Sequence, residues 1–195
     1  MDSIRSFIAI ELPDELRVEL GKIQNSLITS QQNWVKWVKP DSIHLTLKFL
    51  GDISTDQIKE IRQAIEDATS EIPPFTLKIR DLGVFPNLKR VQVIWVGLDG
   101  DLEKLINLQK RIEENMDILG YPAEERGFTP HLTLGRVRFQ PPLSDLQKFT
   151  KLITETKFES TIKIDVNAVH LIKSQLTPQG AIYSKLNSVN LILFS

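Results

Sequence analysis

The sequence carries the same four residues twice, at His44-Leu45-Thr46-Leu47 and again 87 positions later at His131-Leu132-Thr133-Leu134. The chain has only three histidines, and two of them stand in this setting. Successive side chains on a β-strand point to opposite faces, so each segment sends an imidazole and a hydroxyl one way and two leucines the other. With 12 threonines in 195 residues, chance would place threonine two residues after two of three histidines only about once in ninety. The repeat therefore points to a site and not to two unrelated polar strand faces. Two imidazoles facing one pocket suit acid–base work, because an unperturbed pKa of about 6.5 lets one be neutral and the other protonated near neutral pH. Threonine hydroxyls beside them can donate to the non-bridging oxygens of a phosphate. In-line displacement at phosphorus needs a base on one side, an acid on the other and donors for the equatorial oxygens, and this set supplies all three. The reading calls for no metal and no cofactor, since the nearest carboxylates in sequence, Asp41, Asp52, Glu124 and Glu125, show no ligand spacing.

Apolar periodicity gives the elements that must hold these residues. Arg5 to Leu12 reads as a buried strand, and Asp14 to Leu27 as a helix started by Pro13 with Leu16, Leu20, Ile23 and Leu27 on one face. Asn33 to Ser42 reads as a connector with Trp34 and Trp37 as packing anchors, delivering the chain into the first HLTL strand. A capping box at Ser54 and Gln57 opens a helix with Ile58, Ile61, Ile65 and Ala68 inward, Pro73-Pro74 closes it, and Phe75 to Arg80 alternates as a strand, completing a βαβαβ unit. The order then repeats, with a strand at Val91 to Val96, a helix from Asp101 with Leu105, Leu108, Ile112 and Met116 inward, and the second HLTL strand. Ile8 to His44 and Trp95 to His131 are both 36 residues apart, which predicts a structural duplication. A second capping box at Ser144 and Gln147 opens a helix, Phe158 to Ile172 reads as a strand, and Ala181 to Leu186 and Val189 to Phe194 as two more. With no Gly/Ser-rich linker, residues 1–195 are read as one bilobal α+β domain of two pseudo-symmetric halves, approximately 1–88 and 89–195, with the HLTL strands facing each other across a groove.

Composition narrows the function classes. A 41% apolar content supports one sizeable core, and the absence of cysteine excludes disulfide frameworks, zinc ribbons and thiol chemistry and suits a reducing compartment, so a cytoplasmic location is expected. No apolar run reaches membrane-spanning length. With 24 basic and 25 acidic side chains the formal charge is −1, so a nucleic-acid substrate would be held by a small local site and not by bulk attraction. Lys163-Ile164-Asp165-Val166 lacks the glycine of a nucleotidyl-ligase KxDG motif, and no phosphate-binding glycine loop occurs, which leaves ATP-driven ligation without machinery.

Arg5-Ser6-Phe7-Ile8-Ala9-Ile10, Ile43-HLTL-Lys48-Phe49-Leu50-Gly51, Arg90-Val91 with Trp95-Val96-Gly97, Glu125-Arg126-Gly127-Phe128-Thr129-Pro130-HLTL-Gly135-Arg136, and Ser174-Gln175-Leu176 with Gly180 and Tyr183 resemble the 2H phosphoesterases. Within them the chain is most similar to the RNA 2′,3′-cyclic phosphodiesterases, also called 2′-5′ RNA ligases. The resemblance implies a bilobal fold of antiparallel sheets with outer helices, a central groove lined by the HxTx strands, and hydrolysis of a 2′,3′-cyclic phosphate to a 2′-phosphate. His44 inherits the role of proton donor, His131 that of proton acceptor, and Thr46 and Thr133 complete the catalytic set. Arg136 matches a family arginine that holds the nucleotide. Strict alternation points it away from His131, so a bulge or strand end at Gly135 is expected to re-aim it.

The remaining residues are weighed individually. Arg126 is a groove residue or a structural partner of Glu124 or Glu125. Phe7 or Ile8 is expected to flank a nucleobase, Lys48 is read as a solvated strand end, His170 as a structural or surface histidine, and Trp95 as a packing anchor. The expected partners are RNA or oligonucleotides with 2′,3′-cyclic ends and small cyclic nucleotides, acted on by a monomer. Joining a cyclic end to a 5′-hydroxyl is the same ring-opening step with that hydroxyl in place of water, so hydrolase and 2′-5′ ligase are not separated by sequence. A non-catalytic RNA-end or nucleotide-binding module would not need two matched titratable groups.

Overall fold

The computed structural model describes residues 3–28, 33–125, 127–178 and 180–192. Its chain order begins with β1 (Ser3–Ile10), α1 (Asp14–Leu27), β2 (Val35–Trp37), β3 (Leu45–Ser54), α2 (Ile58–Thr69), β4 (Phe75–Asn87) and β5 (Arg90–Gly100). It continues with α3 (Leu102–Ile118), β6 (His131–Val137), α4 (Leu143–Glu155), β7 (Glu159–Val166), β8 (Ala168–Thr177) and β9 (Gly180–Asn190). The strands form two antiparallel sheets, ordered β3-β1-β8-β9 and β2-β6-β5-β4-β7. Among the described residues no helix is long and apolar enough to cross a membrane.

The helices form where the apolar spacing places them: the inward faces of α1 and α3 are the expected Leu16, Leu20, Ile23, Leu27 and Leu105, Leu108, Ile112, Met116, all buried. Their destinations could not be read from periodicity. α1 leaves β1 of the four-stranded sheet and packs over the five-stranded one, where Gln24 Nε2 donates to the Leu134 carbonyl of β6 at 2.9 Å and Ser160 of β7 donates to Glu19 at 2.6 Å. α3 leaves β5 of the five-stranded sheet and packs on α2 and β3. Each crossover helix thus covers the other lobe's sheet. The strands are exchanged too, because β4 from the first half of the chain sits in the five-stranded sheet, while β8 and β9 from the second half complete the four-stranded one.

Several boundaries differ from the sequence reading. The Asn33 to Ser42 connector contains the short edge strand β2, paired with β6 from Val35↔Val137 to Trp37↔Gly135. β4 runs seven residues past Arg80 to Asn87 and forms a hairpin with β5, whose turn is held by Asn87 Oδ1 accepting from the Lys89 and Arg90 amides. The expected strand from Phe158 to Ile172 breaks at Asn167 into β7 and β8, one in each sheet. Conversely, the expected strand from Ala181 to Leu186 runs on without a break through Val189 to Asn190 as β9, and the end of the second expected strand, at Phe194, lies outside the described residues. The Ser54/Gln57 capping box forms with both reciprocal bonds, at a 3-10 turn that leads into α2. The Ser144/Gln147 box does not form, because α4 begins at Leu143 behind Pro142 and places Ser144 inside its first turn.

Candidate active site

Where the two sheets meet, β3 and β6 approach each other and line a groove of about 1350 Å³ that contains His44, Thr46, His131, Thr133 and Arg136. Both imidazoles are fixed in the same way. His44 Nδ1 lies 2.9 Å from the Ser42 carbonyl and His131 Nδ1 lies 2.7 Å from the Thr129 carbonyl, two residues upstream in each case. A carbonyl only accepts, so each Nδ1 carries the proton and each Nε2 is left as the reactive atom. Neither threonine hydroxyl makes a side-chain hydrogen bond among the described residues, so both remain available as donors.

The two strands also break their alternation at the same point. Between β1 and β3 the register passes from Ile8↔Lys48 to Ala9↔Thr46, leaving Leu47 as the extra residue. Between β5 and β6 it passes from Ile94↔Gly135 to Trp95↔Thr133, leaving Leu134 extra. A bulge shifts every following side chain by one position. In β6 this turns Gly135 inward, where its missing side chain admits Val35 and Trp37 of β2, and brings Arg136 to the groove face. The irregularity expected at Gly135 is present, one residue earlier.

In β3 the same bulge overturns the reading of Lys48. Its side chain is 1% exposed, and its ammonium donates to Glu113 Oε2 at 2.6 Å and to the Pro122 carbonyl at 2.9 Å, tying β3 to α3 and to the segment before the second motif. The residue that takes its place in the groove is Phe49, 55% exposed and not anticipated. Phe7 also departs from expectation. It is 3% exposed, with its ring stacked on His44 at 4.5 Å and edge-on to Tyr183 at 5.2 Å, so it backs the histidine and has no free face for a nucleobase. Tyr183 also meets His44 edge-on at 5.1 Å. His131 has a matching aromatic neighbour in Phe85 at 5.0 Å, itself braced by Trp95. Trp95 can lie flat only because Gly83 faces it, since a Cβ there would come within 2.2 Å of the indole. Arg126 lies outside the described residues. His170 is buried on β8, with Nε2 3.7 Å from the Glu11 carboxylate, which also takes Lys185 at 2.8 Å.

Burial sets the electrostatics of the empty groove. It lowers the His44 pKa to about 4, opposed by the Ser42 hydrogen bond and assisted by the positive charges of Arg17 and Arg136. It lowers that of His131 too, with the Thr129 bond opposing and Arg136 assisting. Both imidazoles are therefore neutral at pH 7 before anything binds, and an anion between them would favour their protonation. Two imidazoles, two hydroxyl side chains and one guanidinium thus line one groove, a set of groups suited to a tetrahedral oxyanion.

Comparison with known proteins gives the chain its relatives. The family model described as the 2′-5′ RNA ligase superfamily matches residues 12–178. The chain is 34% identical over 183 residues to the RNA 2′,3′-cyclic phosphodiesterase of Methanothermobacter thermautotrophicus, covering 94% of this chain and 96% of that one. It is 32% identical to the RNA 2′,3′-cyclic phosphodiesterase of Methanocaldococcus jannaschii, covering 92% and 96%. The apo crystal structure of E. coli LigT superposes with a TM-score of 0.77 at 25% identity, covering 99% of this chain and all of that one. On a match spanning most of its length and on relatives above 30% identity over nearly all of it, this chain belongs to the 2′-5′ RNA ligase superfamily.

Proposed function

We propose that the protein is an RNA 2′,3′-cyclic phosphodiesterase, opening the cyclic phosphate at an RNA end to a 2′-phosphomonoester. The observation that carries this is the matched pair of Nδ1-anchored histidines, whose Nε2 atoms are presented to one groove beside two threonine hydroxyls. Water attacks phosphorus and gives its proton to His131 Nε2. The P–O3′ bond breaks opposite, and O3′ takes a proton from His44 Nε2. Thr46 and Thr133 donate to the non-bridging oxygens, and Arg136 supplies positive charge to the phosphate. Phe49 offers the exposed aromatic face for the terminal nucleobase that Phe7 does not. The same ring opening with a 5′-hydroxyl in place of water would make a 2′-5′ linkage with the same groups.

The chain acts as one domain built from two duplicated strand–helix units. The bulge at the leucine after each HxT supports that reading, and so does the matching sheet order, in which β3-β1-β8-β9 corresponds to β6-β5-β4-β7. Because the histidines and threonines fill every role, no metal is required. Purified protein incubated with a 2′,3′-cyclic mononucleotide in EDTA is expected to yield the 2′-phosphate, identified by phosphorus NMR. Activity lost in EDTA and restored by one defined metal would overturn the metal-free mechanism, and no turnover under any condition would leave a binding module.

The proton positions also fix a pH dependence. Turnover needs one histidine charged and one neutral, and in the free protein both pKa values lie below 6.5, that of His44 at about 4. The bell of kcat/KM, which reports the free enzyme, is expected to peak on the acid side of 6.5. The bell of kcat should lie at higher pH, because the bound phosphate anion raises both values. Rates for a cyclic mononucleotide between pH 4 and 9 test this, and coincident bells would remove the electrostatic role assigned to the phosphate. The limbs belong to the coupled pair and not to either histidine.

A further inference from the structure

Beyond the reacting centre, the groove continues along the face of the four-stranded sheet. Arg5 lies two residues before Phe7 on β1 and so shares its groove face, about 7 Å along the strand, on the scale of one backbone step in a nucleic acid. On the neighbouring strand Ile172 pairs with Phe7, which puts Ser174 on the same face two residues on, directly across from Tyr183 of β9. Arg5, Ser174 and Tyr183 all line the groove. Of the other described arginines, Arg17, Arg62, Arg80 and Arg111 are ion-paired with Asp14, Glu66, Asp99 and Glu71, whereas Arg90, Arg136 and Arg138 are not. Arg5 has no carboxylate partner among the described residues, and Asp52, its cross-strand neighbour on β3, does not reach it. An exposed arginine left unpaired in a groove, in a chain of net charge −1, is held in readiness for an anion.

The size of the groove points the same way. At about 1350 Å³ it exceeds the roughly 300–1,000 Å³ of ordinary small-molecule sites, more than one nucleotide needs. Past Ser174, Leu176 is 67% exposed and also lines the groove, an apolar surface for a second base. Resting on the cyclic phosphodiesterase reading, we propose that Arg5 and Ser174 form a second phosphate subsite. It takes the phosphodiester on the 5′ side of the terminal nucleoside, so that the protein prefers an oligonucleotide end to a mononucleotide.

The test compares kcat/KM for a 2′,3′-cyclic mononucleotide with that for a dinucleotide ending in the same cyclic nucleotide. The wild-type protein is expected to favour the dinucleotide by about tenfold or more, the usual worth of a charge-assisted hydrogen bond, and Arg5→Gln to cut that ratio to near one. The salt dependence of kcat/KM on the dinucleotide should flatten by roughly 0.7 in log–log slope with the variant, one phosphate contact fewer on a single strand. A dinucleotide with a neutral methylphosphonate linkage should lose the advantage on the wild-type protein, which keeps the inference testable if Arg5→Gln does not fold. A wild-type ratio near one, an unchanged ratio in Arg5→Gln, or a methylphosphonate substrate as good as the diester would each overturn the subsite. Failure to open both the mononucleotide and the dinucleotide would instead overturn the reading on which it rests.

Discussion

His44→Ala and His131→Ala are each expected to lower turnover of a 2′,3′-cyclic mononucleotide by about 10² to 10⁴, the usual worth of a positioned acid or base. Initial rates on folded protein check this, and a variant with near wild-type turnover would remove that histidine from the mechanism. The two losses should then separate on a substrate with sulfur in place of the bridging O3′. A thiolate leaves without needing a proton, so this substrate should largely rescue His44→Ala and leave His131→Ala slow. Rescue of His131→Ala instead would exchange the roles. The experiment bears on a tension in the groove itself. Burial gives His44 a pKa of about 4, which in the empty protein suits a base better than an acid. A donor role for His44 therefore depends on the substrate's own negative charge to bring its proton on.

Thr46→Val and Thr133→Val should each cost about 10² to 10³ in turnover, by analogy with removal of an oxyanion-hole donor. Valine keeps the branched shape and the strand preference, so the loss reports the hydroxyl and not the packing. Since the two threonines occupy matched positions before matched bulges, the variants should resemble each other. A drop in thermal stability with normal turnover in the folded fraction would make the threonine structural.

Much of this site was legible because its chemistry is written locally and twice. The HLTL repeat gave strands, facing direction and residue types from four positions each, and the bulge near Gly135 followed from asking how Arg136 could share a face with His131. The first motif carries no such marker: strict alternation leaves Lys48 on the open face as a solvated strand end, whereas the bulge at Leu47 sends it inward to Glu113 and turns Phe49 out. Periodicity gave α1 and α3 residue by residue, because an amphipathic helix shows its buried face in its own spacing. It could not say which sheet that face meets. The partition of Phe158 to Ile172 between two sheets was hidden for a related reason, since both strands are half-buried and only the unpaired step at Asn167 divides them. That Phe7 has no face left for a nucleobase was not legible, because its three aromatic neighbours, His44, Phe49 and Tyr183, come from distant parts of the chain.

The exchange of strands and helices between the lobes sets the order in which the molecule can come into being. The five-stranded sheet has all its strands once β7 has been synthesised, but β1 waits for β8, its partner through Ser6↔Lys173, across 167 residues of chain. At ribosomal speeds of roughly 5–20 residues per second that interval is on the order of 10–30 s, during which β1 has only β3 to pair with and its other edge is open. Tyr183, which braces His44, arrives later still, on the last strand to pair. His44 thus reaches its working geometry only after β9 has been made, well after the sheet that holds His131 has all its strands.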